Sequence, residues 1–178
     1  MTYFIQLCTV TNQKLDAFAQ FVAQRIAWLT VIMVLVTSGI VLVRQLFNLN
    51  SLAAQESVTY MHALVLMVAM AYTLKEQGHV RVDIFYRGYS PLKKAWVDLL
   101  GSILFLLPFA VITFIISWGF VEQSWGMLEG SGDAGGIQGV YLLKSLLLVN
   151  SVLLALQAVS EIARNLIVIT LKDETDHD

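Results

Sequence analysis

Four apolar runs limit what this chain can fold into: Ile26 to Val43, Val58 to Leu74, Leu99 to Val121 and Ile137 to Ser160. Each approaches or exceeds the roughly 20 helical residues that cross a hydrocarbon core of about 30 Å. Only His62 and Lys144 interrupt them with ionisable groups. The runs predict an all-α integral membrane protein with four transmembrane helices. Hydrophobic residues at 57%, charged residues at 13% and a mean hydropathy of +0.71 place the chain in the same class. The connections are too short for a soluble domain, so residues 1–178 read as one membrane domain with tails at 1–25 and 161–178. The first run starts beyond residue 20 and has no small-x-small site after it, so it reads as a retained span rather than a cleaved signal peptide.

Orientation follows from lysine and arginine. Lys14 and Arg25 precede span one, Lys75, Arg81, Arg87, Lys93 and Lys94 lie between spans two and three, and Arg164 and Lys172 follow span four. The opposite side has only Arg44, and its second loop carries Glu122, Glu129 and Asp133 without a cation. The positive-inside rule therefore puts both termini and the middle loop in the cytoplasm.

The flanks are amphipathic. Leu15, Phe18, Ala19 and Val22 recur at helical spacing within Thr11 to Arg25, which suits a helix on the inner leaflet leading into span one. Ser90-Pro91 is a cap followed by a first helical residue, and it opens a second interfacial helix in which Lys93, Lys94 and Trp96 anchor span three. Phe85, Tyr86 and Tyr89 before it suit the headgroup layer. Pro108 predicts a kink within span three.

Inside the spans the polar residues carry the information. Asn150, Gln157, Glu161 and Arg164 fall within about 60° of one another on span four. Ala23, Thr30 and Thr37 form a seven-residue seam of small side chains on span one. Polar groups are costly in lipid, so both seams are expected to face protein, within the chain or in a partner. Lys144, about two turns into span four, either snorkels to the outer headgroups or pairs with a phosphate or carboxylate of a lipid or neighbouring subunit. The outer loop holds six of the eleven glycines between Gly126 and Gly139, which predicts a flexible connector or docking surface.

Several classes fall away. A net charge of −2 with no basic patch excludes a nucleic-acid partner. Cys8 is the single cysteine, and His62 lies at the opposite end from His79 and His177, so no metal, haem or other cofactor is read from the chain. No convergent nucleophile and base suggest an enzyme, and no inverted repeat suggests a stand-alone transporter. A small redox or quinone-binding membrane protein is the rival class and requires a chromophore or a reactive cysteine pair. A self-assembling pore requires polar stripes on several helices, and only span four has one. An accessory or scaffolding subunit fits best.

Residues 12 to 165 resemble a known family. Gly78-His79-Val80-Arg81-Val82-Asp83 after span two, Ser90-Pro91 opening the next helix, and Gly135-Gly136-Ile137 with Tyr141 and Lys144 leading into span four resemble the small, DctQ-like membrane subunit of tripartite ATP-independent periplasmic (TRAP) transporters. The resemblance implies a brace for a large multi-span permease subunit that carries an organic acid with sodium by an elevator movement. It also implies a periplasmic substrate-binding protein as a second partner. On this reading Gly78, His79, Arg81 and Asp83 fix the cytoplasmic loop, Lys144 pairs with membrane lipid or the large subunit, and Asn150, Gln157, Glu161 and Arg164 are further interface candidates.

The charge bias makes the topology testable. Reporters fused after residue 178 or within residues 82–92 are expected to read cytoplasm, and one within residues 128–136 to read periplasm. An active periplasmic reporter between Lys75 and Lys94 would overturn the orientation.

Overall fold

In the computed structural model, which describes residues 2–79 and 83–175, every regular element is helical. The order is α1 (Thr2–Phe47), α2 (Leu52–Lys75), a single turn α3 (Asp83–Tyr86), α4 (Pro91–Gly101), a π-helical turn (Ser102–Leu106), α5 (Leu107–Gly126) and α6 (Val140–Thr175). Four continuous helices are long and apolar enough to cross a membrane. The chain is an all-α, multi-pass membrane protein.

Local chemistry sets the ends. Asn48 closes α1 in the left-handed region at φ 52°, which asparagine tolerates, and its N–H donates to Arg44 O at 3.0 Å. Ser51 caps α2 by accepting from Ala54 N at 3.3 Å. At the far end Gln77 N–H reaches Leu74 O at 2.9 Å and Gly78 N–H reaches Thr73 O at 2.8 Å, a Schellman closure with Gln77 left-handed. The Ser90-Pro91 start is as read from sequence: Pro91 opens the helix and Ser90 Oγ accepts from Lys93 N at 3.4 Å.

Neither flanking segment expected to form an interfacial helix is a separate element. Residues 11–25 belong to the unbroken α1, and α4 runs through the π-turn into α5. Span four starts three residues later than expected, because residues 137–139 belong to the preceding loop.

The Pro108 region is a widened turn. Ala95, Leu99 and Ser102 are buried on the first half of this helix, and Ala110, Ser117, Val121 and Ser124 on the second. At 100° per residue Ser102 and Ala110 would diverge by about 80°. Five π-turn residues advance by only about 82° each, which removes about 90° and brings the two stripes to within about 10°. The turn also opens the ladder just where Pro108 offers no N–H.

Helix α6 is the hub. It packs against α1, α2, α4, the π-turn and α5, while α1 and α2 also pack on each other. Its buried residues are small or polar: Ser151, Ala158 and Ser160 are no more than 2% exposed, and Leu154 is 4% exposed. Small side chains permit helices to approach closely in a membrane, where apolar burial alone offers little between lipid and protein. Asn12 of α1 bonds Ser160 of α6, and Lys75 of α2 bonds Gln20 of α1, so both terminal segments and the 76–90 connection share one end of the bundle.

The seam on span one is only partly packed within this chain. Ala23 is buried, but Thr30 and Thr37 are exposed and face away from the other helices, and Thr30 Oγ donates to its own Ala27 O at 2.6 Å. The packed side of α1 is instead Ala19, Ala23, Met33 and Val36. A strict seven-residue repeat drifts by about 20° per heptad on a straight helix, so it does not by itself mark the packed face.

Overpacking α6 should therefore cost more than altering the α1 seam. Ala158→Leu is expected to destabilise the detergent-solubilised chain by about 1–3 kcal/mol, and Thr37→Leu to leave the thermal midpoint nearly unchanged. Equal shifts in the two melting curves would refute α6 as the hub.

Candidate functional site

The glycine loop between α5 and α6 is a folded cap rather than a flexible connector. Glu56, in the first turns of α2, accepts from Ser131 Oγ at 2.5 Å and from the Ile137 N–H at 2.6 Å. The loop closes on itself through Ser131 N to Ile137 O at 3.0 Å and Gly136 N to Asp133 O at 3.1 Å. Two glycines are required by geometry. Gly135 sits at φ 84°, and a Cβ at Gly136 would lie 2.5 Å from Ser131 Cβ and 2.7 Å from Glu56 Oε1.

A second clasp joins the end of α5 to α6. Glu129 Oε2 accepts from Lys144 Nζ at 2.5 Å and from Ser124 Oγ at 2.6 Å, and Ser124 is 1% exposed. Lys144 Nζ also lies 4.0 Å from the centre of the Phe120 ring. Trp125 Nε1 donates to Ser145 Oγ at 2.8 Å while its ring meets Tyr141 edge-on at 4.8 Å. Lys144 thus has its carboxylate partner inside its own chain. The Lys144 hydrogen bond, then that from Ser124, holds the Glu129 carboxyl below the usual carboxylate range.

The polar stripe of α6 turns inward at the opposite end. Gln157, 2% exposed, donates to Asp16 Oδ1 at 3.1 Å, and Ser160 Oγ donates to the same oxygen at 2.7 Å. Asn12 Nδ2 donates to Ser160 Oγ at 2.9 Å. Glu161 pairs with Arg164, and Asn165 Nδ2 donates to Glu161 O at 2.9 Å. Asn150 is buried at 8% exposure, with its Oδ1 unpartnered. The stripe is therefore enclosed, and α1 supplies the partners of its middle section.

The 78–83 motif is only partly visible. Gly78 closes α2 and His79 is exposed. Arg81 and the Asp83 side chain lie outside the described residues. Tyr86 OH, just beyond, donates to Asp98 Oδ2 at 2.6 Å, and Lys94 Nζ stands 5.3 Å from the Tyr86 ring centre. The structure does not bring the seven described candidate residues into one place. Lys144 belongs to the outer clasp, Asn150 to mid-span, Gln157, Glu161 and Arg164 to the terminal end, and Gly78 and His79 to the loop beside it.

Among the described residues no group of three His, Cys, Asp or Glu side chains could hold a metal. The crevices beside α2 are largely apolar, with walls such as Leu29, Tyr60, Met61 and Leu64 on one side and Ala63, Met67, Leu147 and the single charged residue Lys144 on the other. Residues 33–167 match the family described as tripartite ATP-independent periplasmic transporters, DctQ component. The chain belongs to this family. It is also 28% identical over 119 residues to the C4-dicarboxylate TRAP transporter small permease protein DctQ of Vibrio cholerae serotype O1, covering 64% of this chain and 50% of that relative. The chain thus spans about half the length of the curated relative it matches. No solved structure matches it.

Several residues central to this DctQ-family chain escaped sequence reasoning. Glu56 reads as a solvated acid near a helix start, yet it holds the loop. Glu129 reads as an isolated loop acid, yet it is the partner of Lys144, fifteen residues on. Asn12 and Asp16 read as the wet face of an interfacial helix, yet both contact α6. One signal was available: Asn12 and Asp16 are one helical turn apart and so share a face.

The Glu129 clasp gives a signed pH prediction. A depressed folded-state pKa contributes stability above the unfolded value of about 4.3, which is lost as pH falls through the lower folded value. Glu129→Gln is expected to lower the thermal midpoint at neutral pH. Its deficit relative to the unsubstituted chain should shrink to nothing below the ordinary carboxylate range. A deficit independent of pH would show that the carboxylate charge is irrelevant.

Proposed function

We propose that this chain is the small scaffolding subunit of a sodium-coupled, binding-protein-dependent organic-acid uptake transporter in a bacterial inner membrane. It braces a large elevator-type permease subunit and offers its glycine-loop cap to a periplasmic substrate-binding protein. Membership of the DctQ family supports the transporter role, and the name of the Vibrio relative points to C4-dicarboxylates as the substrate class. Orientation with both termini cytoplasmic rests on the distribution of Lys and Arg.

One observation carries the reading: Lys144, Gln157, Ser160 and Glu161 of α6 find partners within the chain, while the outer faces of α1 and α5 are apolar and open. Trp28, Val34 and Leu35 on α1 and Phe109, Ile115 and Ile116 on α5 are all more than half exposed. A substrate path would need several polar groups converging near mid-membrane. A brace needs rigid helices with apolar sides, and the two clasps make this bundle rigid.

Substitutions in this subunit should consequently alter assembly or maximal rate and leave apparent substrate affinity unchanged. In vesicles reconstituted with all three components, Lys144→Ala is expected to lower the maximal uptake rate, because it strands Glu129. Lys144→Arg keeps the charge and should retain more activity. A change in which acid is taken up, with assembly intact, would show that the chain lines the path.

A further inference from the structure

The connection between α2 and α4 exposes apolar surface that the chain itself does not need. Ile84 is 81% exposed, the highest value among the exposed large apolar side chains, and Phe85 beside it is 74% exposed. Both lie on the single turn α3, outside the four spanning helices. Their exposure is not the looseness of an untethered loop. Tyr86, next in sequence, is bonded to Asp98 at 2.6 Å and covered by Lys94, so α3 is fastened to α4 with Ile84 and Phe85 held outward. Lys93 is exposed on the first turn of α4, and Trp96, 48% exposed, follows it. From Trp96 the open surface continues without a charge through Val97, Leu100 and Leu104 to Phe105.

We propose that this elbow, Ile84, Phe85, Lys93, Lys94 and Trp96, is a docking surface for anionic phospholipid. The two apolar side chains and the indole sit among the upper acyl carbons while the lysines meet the headgroup phosphate. The inference requires only that the chain spans a membrane, and it stands apart from the transporter reading. Two features select this occupant. The apolar patch is continuous with the lipid-facing side of α4 and α5, so the same medium covers both. Among the described side chains the charges beside it are basic, at Lys93 and Lys94, and the nearby carboxylate of Asp98 is held by Tyr86. A lysine near an anionic lipid surface contributes about a fivefold preference, so two together favour an anionic over a zwitterionic headgroup by an order of magnitude or more.

The test uses the full chain, alone and in complex with its permease partner, in phosphatidylcholine vesicles with or without phosphatidylglycerol. A fluorophore is placed on Phe85→Cys in a Cys8→Ser background, and, for the chain alone, on Ile115→Cys as a reference for ordinary lipid contact. Quenching by brominated phosphatidylglycerol is compared with quenching by brominated phosphatidylcholine. At position 85 the expected result is quenching by both lipids, about tenfold more effective per mole for phosphatidylglycerol; at position 115 there should be no preference. Lys93→Gln, which removes an exposed side chain and leaves the Lys94 contact with Tyr86 intact, should cut the preference about fivefold, and Lys93→Gln with Lys94→Gln should abolish it. Equal quenching by the two lipids at position 85 would overturn the proposal. So would loss of quenching in the complex, since that would make the elbow a protein interface.

Discussion

Everything in this fold leans on helix α6, because it touches all the other spanning helices and turns its small and polar residues toward them. Inside a membrane, apolar side chains gain little by leaving lipid for protein, so contact must come from close approach and from polar groups that find partners. Ser151, Ala158 and Ser160 supply the close approach, and Gln157 and Asn150 the buried polarity. Helix α1 then has to extend far beyond a bilayer's width, because the acceptor for Gln157 is Asp16, deep in the segment that precedes span one. The π-turn answers the same demand on the other flank, since only a change of pitch lets both Ser102 and Ala110 meet α6.

The opposite end is organised by acids. Glu56 takes a backbone N–H and a hydroxyl from the glycine loop, and Glu129 takes an ammonium and a hydroxyl across the α5–α6 corner. Charge-assisted bonds of this kind are about twice as strong as neutral ones. They sit where a short loop must reverse the chain between two spans with little apolar surface of its own. Gly136 is there because the loop passes close to Glu56, and Gly135 because its backbone is left-handed, so the number of glycines gives a misleading impression of slackness. Near Leu128 the same corner holds a leucine at φ 45°, in the position where a Schellman closure favours glycine.

The legible part of the sequence was the part governed by one-dimensional patterns. Hydropathy located the four spans, and the cap at Ser90 was readable because capping is local. That Gln157 shares a stripe with Asn150, Glu161 and Arg164 was readable from helical periodicity. What escaped was every contact that depends on which helix faces which. Asp16 lies 141 residues from Gln157, and Glu56 lies 81 residues from Ile137. Nothing local distinguishes such acids from solvated ones. What the span-one seam meets was out of reach for the related reason that periodicity finds a stripe but not its neighbour. Pro108 signalled an irregularity without specifying its form, because a kink and a widened turn both accommodate a missing N–H.

The uneven use of the two faces of the bundle bears on how the chain works with others. Helix α5 has α6 as its principal neighbour among the spans, and the most apolar window of α1 has none of its residues buried. A four-helix bundle serving only its own stability would close α1 against α5, and this one leaves them apart on either side of α6. The result is broad rather than compact, held by a central helix and clasped at both ends, with two wide apolar flanks. On the proposed reading that breadth is the functional property: a brace transmits force through its rigid middle and presents its flanks to lipid and to the larger subunit. The polar residues that first drew the eye as interface candidates, Lys144 and Gln157 among them, then act from within, by keeping the flanks in place.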